Sequence, residues 1–144
     1  MSAVLLDTHA LIWLVAGEKL THRALLEIAE AQAAGTLFVS LISAWESGVA
    51  VLKQNPARRP NLQGLSPDLW FRNGIRKIGA RTIPINFTIA MEAASVPPVY
   101  GSGDPGDCFL IATARVRKLT LITRDEKIAE LAKRHPNYLK IVKC

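Results

Sequence analysis

Cysteine is scarce in this chain: Cys108 and Cys144 are the only two in 144 residues. They cannot build a disulfide framework, which points to a reducing, intracellular setting. Glycine (9) and proline (8) are too few for a collagen-like or low-complexity chain. No apolar run reaches the ~20 residues that a membrane-spanning helix needs. The nearest candidate, MSAVLLDTHALIWLVAG at 1–17, has no basic residue near its start and is interrupted by Asp7, Thr8 and His9. It reads neither as a signal peptide nor as an anchor, so a soluble cytoplasmic protein with no membrane partner is expected. Acids are outnumbered, 12 Asp+Glu against 18 Lys+Arg, for a formal charge of +6. That excess favours a polyanionic partner such as nucleic acid.

What remains is the composition of an ordinary globular domain, 49% hydrophobic and 21% charged, of a length that suits one domain over 1–144. The apolar run Ala3–Leu6 reads as a strand, followed through Asp-Thr-His by a buried helix Ala10–Ala16 that Gly17 closes. A second helix is expected over Thr21–Ala34, with Leu25, Ile28 and Ala29 inward, and a strand over Leu37–Leu41. The pattern then gives a helix Ser43–Lys53 with Trp45, Val49 and Leu52 as its core stripe. A basic, Pro/Asn/Gly-rich loop or lid at 54–66 and a helix Pro67–Ile78 come next. Beyond them lie a strand Arg81–Ile85, a helix Thr88–Ala94 stopped by Pro97-Pro98, and a helix Pro105–Arg117. A strand Leu119–Thr123, a helix Glu126–Arg134 and a strand Leu139–Val142 complete the chain. Strands alternating with helices imply a mostly parallel sheet covered on both faces, with ligands beyond the carboxyl ends of its strands.

The scarce aspartates fall where that rule directs attention. Of the five, Asp7 and Asp125 end predicted strands, Asp104 and Asp107 open the helix at 105–117, and Asp68 stands apart. Glu46 lies in the first turns after the strand at 37–41. Each has an ordinary explanation: Asp7 and Asp125 as helix caps, Ser43-x-x-Glu46 as a capping box, and Asp104-Pro105-x-Asp107 as N-cap, first-turn Pro and acid. Capping does not explain why they gather at one sheet edge of a basic protein. Clustered carboxylates repel one another unless a cation joins them, so the set predicts a hard divalent ion, Mg²⁺ or Mn²⁺, bound through oxygen.

With these residues in place, the chain resembles the PIN-domain ribonucleases and, among them, the VapC-type toxins of toxin–antitoxin pairs. The resemblance rests on LLDTHALIWL, SAWES, DPGDCFLIATA and LITRDEKI, which follow the family's motifs in order. It implies a three-layer α/β/α domain with a five-stranded parallel sheet and Mg²⁺- or Mn²⁺-dependent endonucleolytic cleavage of RNA. Carried over by motif, Asp7, Glu46, Asp107 and Asp125 match the acidic catalytic and metal positions, and Asp104 the extra metal-site acid. Thr8 and Thr123 would orient carboxylates or water. The resemblance further implies a cognate antitoxin that covers the acidic site, and a homodimer, or a heterotetramer or larger assembly with the antitoxin. Two positions depart from many relatives: Ser102 where they carry His, and Cys108 where they carry Arg.

RNA entering an acidic site needs cations at the rim, and Lys53, Arg58, Arg59 and Arg124 are the candidates, set against the plainer reading of solvated surface charges. Trp13 and Trp45 fall in apolar stripes and read as core, while Trp70 and Phe71 are open. The histidines lack transition-metal spacing. A haloacid-dehalogenase-like phosphatase would need an acid where His9 stands. A receiver domain would need a mid-chain phosphoacceptor Asp and paired acids after the first strand. Neither fits. The remaining alternative is a PIN-fold RNA- or protein-binding module without nuclease activity.

Overall fold

The computed structural model describes residues 3–144, so the first two residues of the apolar stretch 1–17 lie outside the described residues. Five short strands form one all-parallel sheet: β1 (Val4–Leu6), β2 (Leu37–Ser40), β3 (Arg81–Ile83), β4 (Thr120–Thr123) and β5 (Ile141–Lys143), in the order β3-β2-β1-β4-β5. Register is set by side-chain alternation, since neighbours in a strand face opposite ways. Val4, Leu6, Leu37, Val39, Ile122 and Val142 point into one core, and Leu5, Phe38, Leu121 and Ile141 into the other.

The first core is covered by α1 (Thr8–Ala16), α2 (His22–Ala34) and α4 (Pro67–Ile78), through Leu11, Val15, Ile28, Trp70 and Ile78. The second is covered by α5 (Phe87–Ala94), α6 (Val96–Tyr100), α7 (Pro105–Arg117) and α8 (Glu126–Arg134), through Ile89, Val96, Ile111 and Leu131. This is the expected three-layer α/β/α arrangement with its five-stranded sheet. The remaining helix, α3 (Leu41–Ala50), touches α1, α4 and α7. Among the described residues no helix is long and apolar enough to cross a membrane.

Several local expectations are revised. Helix α1 starts at Thr8, because the Asp7 carboxylate already caps it by accepting the Ala10 N–H at 2.7 Å. Helix α3 starts at Leu41, not Ser43: Ser40 accepts the Ile42 N–H and caps it, so Ser43-x-x-Glu46 is no capping box. Pro97-Pro98 does not simply end a helix. Both prolines sit in the opening turn of α6, where the lost N–H groups had no partner to lose. The loop at 54–66 contains one 3-10 turn, Pro56–Arg58.

The apolar stripe of α3 is reversed. Trp45 is 53% exposed, and Leu52, expected in the helix, lies past its end at Ala50 and is 77% exposed, while Ser43 and Ser47 are fully buried. In α2, Leu25 and Ala29 face solvent and Ala24, Ile28 and Ala31 face the core. Trp70 and Phe71 are buried.

Candidate active site

The chain leaves β1 toward β2 on one side, and β4 pairs on the other. The carboxyl ends of β1 and β4 therefore flank the point where strand order reverses, the usual place for a ligand in an open parallel sheet. Asp7 and Asp125 stand there, with Glu46 brought in by α3 and Asp104 and Asp107 by the start of α7.

Three of these acids are held alike. Asp7 is 6% exposed, and its Oδ2 accepts a short hydrogen bond from the Thr123 hydroxyl across the β1–β4 pair. The Asp125 N–H in turn donates to Thr123 Oγ1 at 3.0 Å. Glu46 Oε1 accepts from the Thr8 hydroxyl at 2.5 Å, and Thr8 Oγ1 lies 2.9 Å from the buried Ser43 hydroxyl. A hydroxyl has one proton, so with Thr8 donating to Glu46 the Ser43 hydroxyl donates to Thr8. Asp107 Oδ2 accepts from the Tyr100 hydroxyl at 2.8 Å.

Burial pushes all three carboxyls up from their ordinary range. For Asp7 the burial outweighs the Thr123 and Ala10 hydrogen bonds that pull the other way. For Glu46 it outweighs Thr8, with Asp107, Asp104 and Asp7 adding repulsion. Asp107 is raised to about 6, by burial first and then by Asp104, Asp125 and Asp7, against the pull of Tyr100. Each of these acids thus feels the charge of at least one other acid of the cluster: Asp125 on Asp7, and Asp7 on both Glu46 and Asp107.

Asp104 and Asp125 are held differently. Asp104 is exposed and caps α7, accepting the Asp107 N–H at 3.0 Å. Asp125 caps α8, accepting the N–H groups of Lys127 and Ile128 at 2.8 and 3.1 Å. Among the described residues, no three acidic, histidine or cysteine side chains already stand close enough to encircle an ion.

Gly106 is the open position of the Asp-Pro-x-Asp motif, and Glu46 packs against it. A Cβ built on Gly106 would overlap Glu46 Oε2 and Cδ and sit 2.9 Å from Oε1. The missing side chain is what lets the carboxylate reach the first turn of α7. Sequence reasoning passed over both Gly106 and Tyr100. The two positions that depart from many relatives meet each other: the Cys108 thiol donates to the Ser102 carbonyl at 3.5 Å, and Ser102 Oγ accepts the Asp104 N–H at 3.3 Å. Together they brace the turn leading into α7.

Above the acids runs a groove of about 520 Å³ between α1 and α3. Its floor is Ile12, Trp13, Trp45 and Val49, and its rim includes Lys53, Arg58 and Arg59. Trp45, expected in the core, lines this groove instead. Arg59 is partly committed, donating from Nε to the Lys53 carbonyl at 2.6 Å. Arg124 is more so: its guanidinium lies 3.8 Å from the centre of the Trp13 ring and donates to the Cys144 and Lys19 carbonyls at 2.7 and 3.2 Å. It clamps two chain segments together beside the site.

Comparison with known proteins follows the same lines. The family model of the PIN domain matches residues 4–134. No curated protein matches the chain in sequence. A toxin–antitoxin complex from Klebsiella pneumoniae is similar at 23% identity and TM-score 0.57, over 96% of this chain and 95% of that one. DNA-bound VapBC from Salmonella typhimurium is similar at 14% identity and TM-score 0.66, over 99% and 98%. VapBC-5 from Mycobacterium tuberculosis is similar at 19% identity and TM-score 0.59, over the whole of both chains.

Proposed function

This chain belongs to the PIN domain family, and from that premise we propose that it is a metal-dependent endoribonuclease, the toxin of a VapBC-type pair. On this reading residues 1–144 form one such domain and act in the cytoplasm. The observation that carries it is the trio Asp7, Glu46 and Asp107 at the β1–β4 switch point, three desolvated carboxylates raised further by neighbouring acids and each held by a hydroxyl.

The donor set fits a hard divalent ion, because every candidate ligand is a carboxylate oxygen. Mg²⁺ keeps several waters and takes only one or two carboxylates directly, so it would not need all five acids around it. Asp7, Glu46 and Asp107 would hold the Mg²⁺ or Mn²⁺, with Asp104 and Asp125 on the open side. The ion would supply a water of lowered pKa and positive charge against the phosphodiester.

The rest is done by the protein's own groups. Thr123 and Thr8 fix one oxygen of Asp7 and of Glu46, and each is itself held by a second donor, so the carboxylates are oriented before any ligand arrives. Lys53 and Arg58, with the remaining donors of Arg59, line the way in and offset the repulsion between RNA and the acids. The apolar floor of the same groove offers an antitoxin segment a seat from which it would cover the acids. The three similar structures named above, titled as toxin–antitoxin or VapBC assemblies, support that partner. A homodimer, or a heterotetramer or larger with the antitoxin, belongs to the same reading.

The test is cleavage of a mixed RNA pool by purified protein with Mg²⁺ or Mn²⁺, with EDTA, and with Asp7→Asn. Cleavage that requires both the metal and Asp7 is expected. Folded protein that binds Mn²⁺, cuts nothing and is harmless on expression would instead be a binding module.

A further inference from the structure

The β3–β4 connection carries a helix that the sheet does not require. Helix α6 is a single turn, opened by Pro97 and Pro98 and closed by Gly101, whose φ of 80° lets its N–H return to the Pro97 carbonyl at 2.8 Å. The prolines fix their own φ angles, and the left-handed glycine ends the turn at once. Helix α6 is packed against α5, α7 and α8. Its last residue, Tyr100, is 4% exposed with its ring in the second core, and only its hydroxyl meets the acidic site.

We propose that Tyr100 is a positioning residue for the metal site, holding Asp107 through its hydroxyl as Thr123 holds Asp7 and Thr8 holds Glu46. The inference rests on the metal-dependent reading above and adds a third member to the two hydroxyls legible in the sequence. A phenol on a rigid ring has its oxygen fixed by packing, and its single proton goes to Asp107 Oδ2. Among the described residues no other side chain donates to that carboxylate. Without Tyr100, Asp107 would be free to turn about its last torsion. An ion ligated by it would have to supply the ordering that the tyrosine now provides.

The test is Mn²⁺ titration by calorimetry, in the absence of RNA, of wild type, Tyr100→Phe, Asp107→Asn and the double variant. Tyr100→Phe should weaken Mn²⁺ binding about tenfold, the lower end of what loss of a ligand-orienting partner does. The double variant should bind no more weakly than Asp107→Asn, because the hydroxyl acts only through that carboxylate. A Tyr100→Phe protein that binds Mn²⁺ like wild type would overturn the proposal. So would a tenfold loss that persists on the Asp107→Asn background. Wild type that binds no Mn²⁺ would overturn the metal reading, and this inference with it.

A second measurement leaves Tyr100 unmutated. The chain has two tyrosines, Tyr100 and Tyr138. Tyr138 lies against Arg115 in the last turn of α7, roughly 12 Å along that helix from Asp107 at 1.5 Å per residue. In fluorotyrosine-labelled protein, assigned with Tyr138→Phe, Mg²⁺ should move the fluorine resonance of Tyr100 and leave that of Tyr138 in place. Equal movement of both, or of neither while Mg²⁺ binds, would count against the proposal.

Discussion

The five acids at the carboxyl edge of the sheet divide into two groups that the sequence writes in the same letters. Asp7, Glu46 and Asp107 are desolvated, raised in pKa and held by the hydroxyls of Thr123, Thr8 and Tyr100. Asp104 and Asp125 lie further out, and their carboxylates accept backbone N–H groups at the starts of α7 and α8. A backbone cap stabilises a negative charge wherever a helix begins. A buried carboxylate whose neighbours raise its energy is only partly relieved by hydrogen bonds, and keeps a proton or gains from a cation instead. The difference separates acids whose charge a helix start stabilises from acids whose charge burial and neighbouring acids oppose. Asp7 is the one that belongs to both.

The largest effect should come from Asp7→Asn. The amide still caps α1, because Asn and Asp are near-equal N-caps, so circular dichroism should show an unchanged fold. RNA cleavage should fall at least a hundredfold, and retained activity would dissolve the distinction between the two groups. Gly106→Ala is the next test, and it acts through geometry alone. The new methyl displaces the Glu46 carboxylate, the end of a long side chain, from its hydrogen bond with Thr8, and the protein should still fold. Ala in a helix is better than Gly by up to ~1 kcal/mol, which offsets the lost Thr8 hydrogen bond of about the same size, so the melting temperature should change little. Activity should drop roughly ten- to a hundredfold, since a misplacement of about 1 Å has that scale of cost. Full activity in the folded Gly106→Ala protein would overturn the reading, because the Glu46 position would then not matter.

How much of this could be read beforehand depends on whether a signal was local. The mostly parallel sheet was legible because short strand-like runs alternate with helices, and strand ends located two of the five acids, Asp7 and Asp125. Thr8 and Thr123 were legible by the resemblance. The orientation of α3 was not. Its apolar residues Trp45 and Val49 face outward, with Leu52 past the helix end, while Ser43 and Ser47 turn inward, where Ser43 meets Thr8 and Ser47 donates to the Ala44 carbonyl. Periodicity finds the apolar face of a helix, and here that face lines a groove while the polar one serves the site. Tyr100 was hidden for another reason: its partner is seven residues away across a turn between two helices, and no helical or strand period links such a pair.

The free energy held in the buried group should be visible as pH dependence without metal. The Asp107 carboxyl is raised from 3.8 to about 6, so between those values the folded protein keeps a proton that the unfolded chain has lost. Stability therefore falls as pH rises through that window, the reverse of a salt-bridged acid, and levels off above it. In EDTA the protein should be of order 1–3 kcal/mol more stable near pH 4 than near pH 7 on this account, measured by urea unfolding. Asp107→Asn should reduce the slope. Saturating Mn²⁺ should stabilise most above pH 6, where no proton competes for the carboxylate. A slope of the opposite sign that Asp107→Asn leaves untouched would remove Asp107 from the buried group.

The smallest effect belongs to Asp104, and a pair of variants isolates it. Asp104→Ala deletes the cap that accepts the Asp107 N–H and should cost about 1 kcal/mol, measured as a lower urea midpoint. Asp104→Asn keeps that hydrogen bond and removes only the charge. If Asp104 serves mainly as a cap, the Asn variant should match wild type in stability and stay within a fewfold of it in cleavage. It should also ease the repulsion that Asp104 exerts on Asp107 and Glu46. The Ala variant should lose somewhat more activity, because Asp104 also fixes the first turn from which Asp107 projects. Equal and severe losses in both variants would mean that the charge itself is needed, which would move Asp104 from the caps to the ligands.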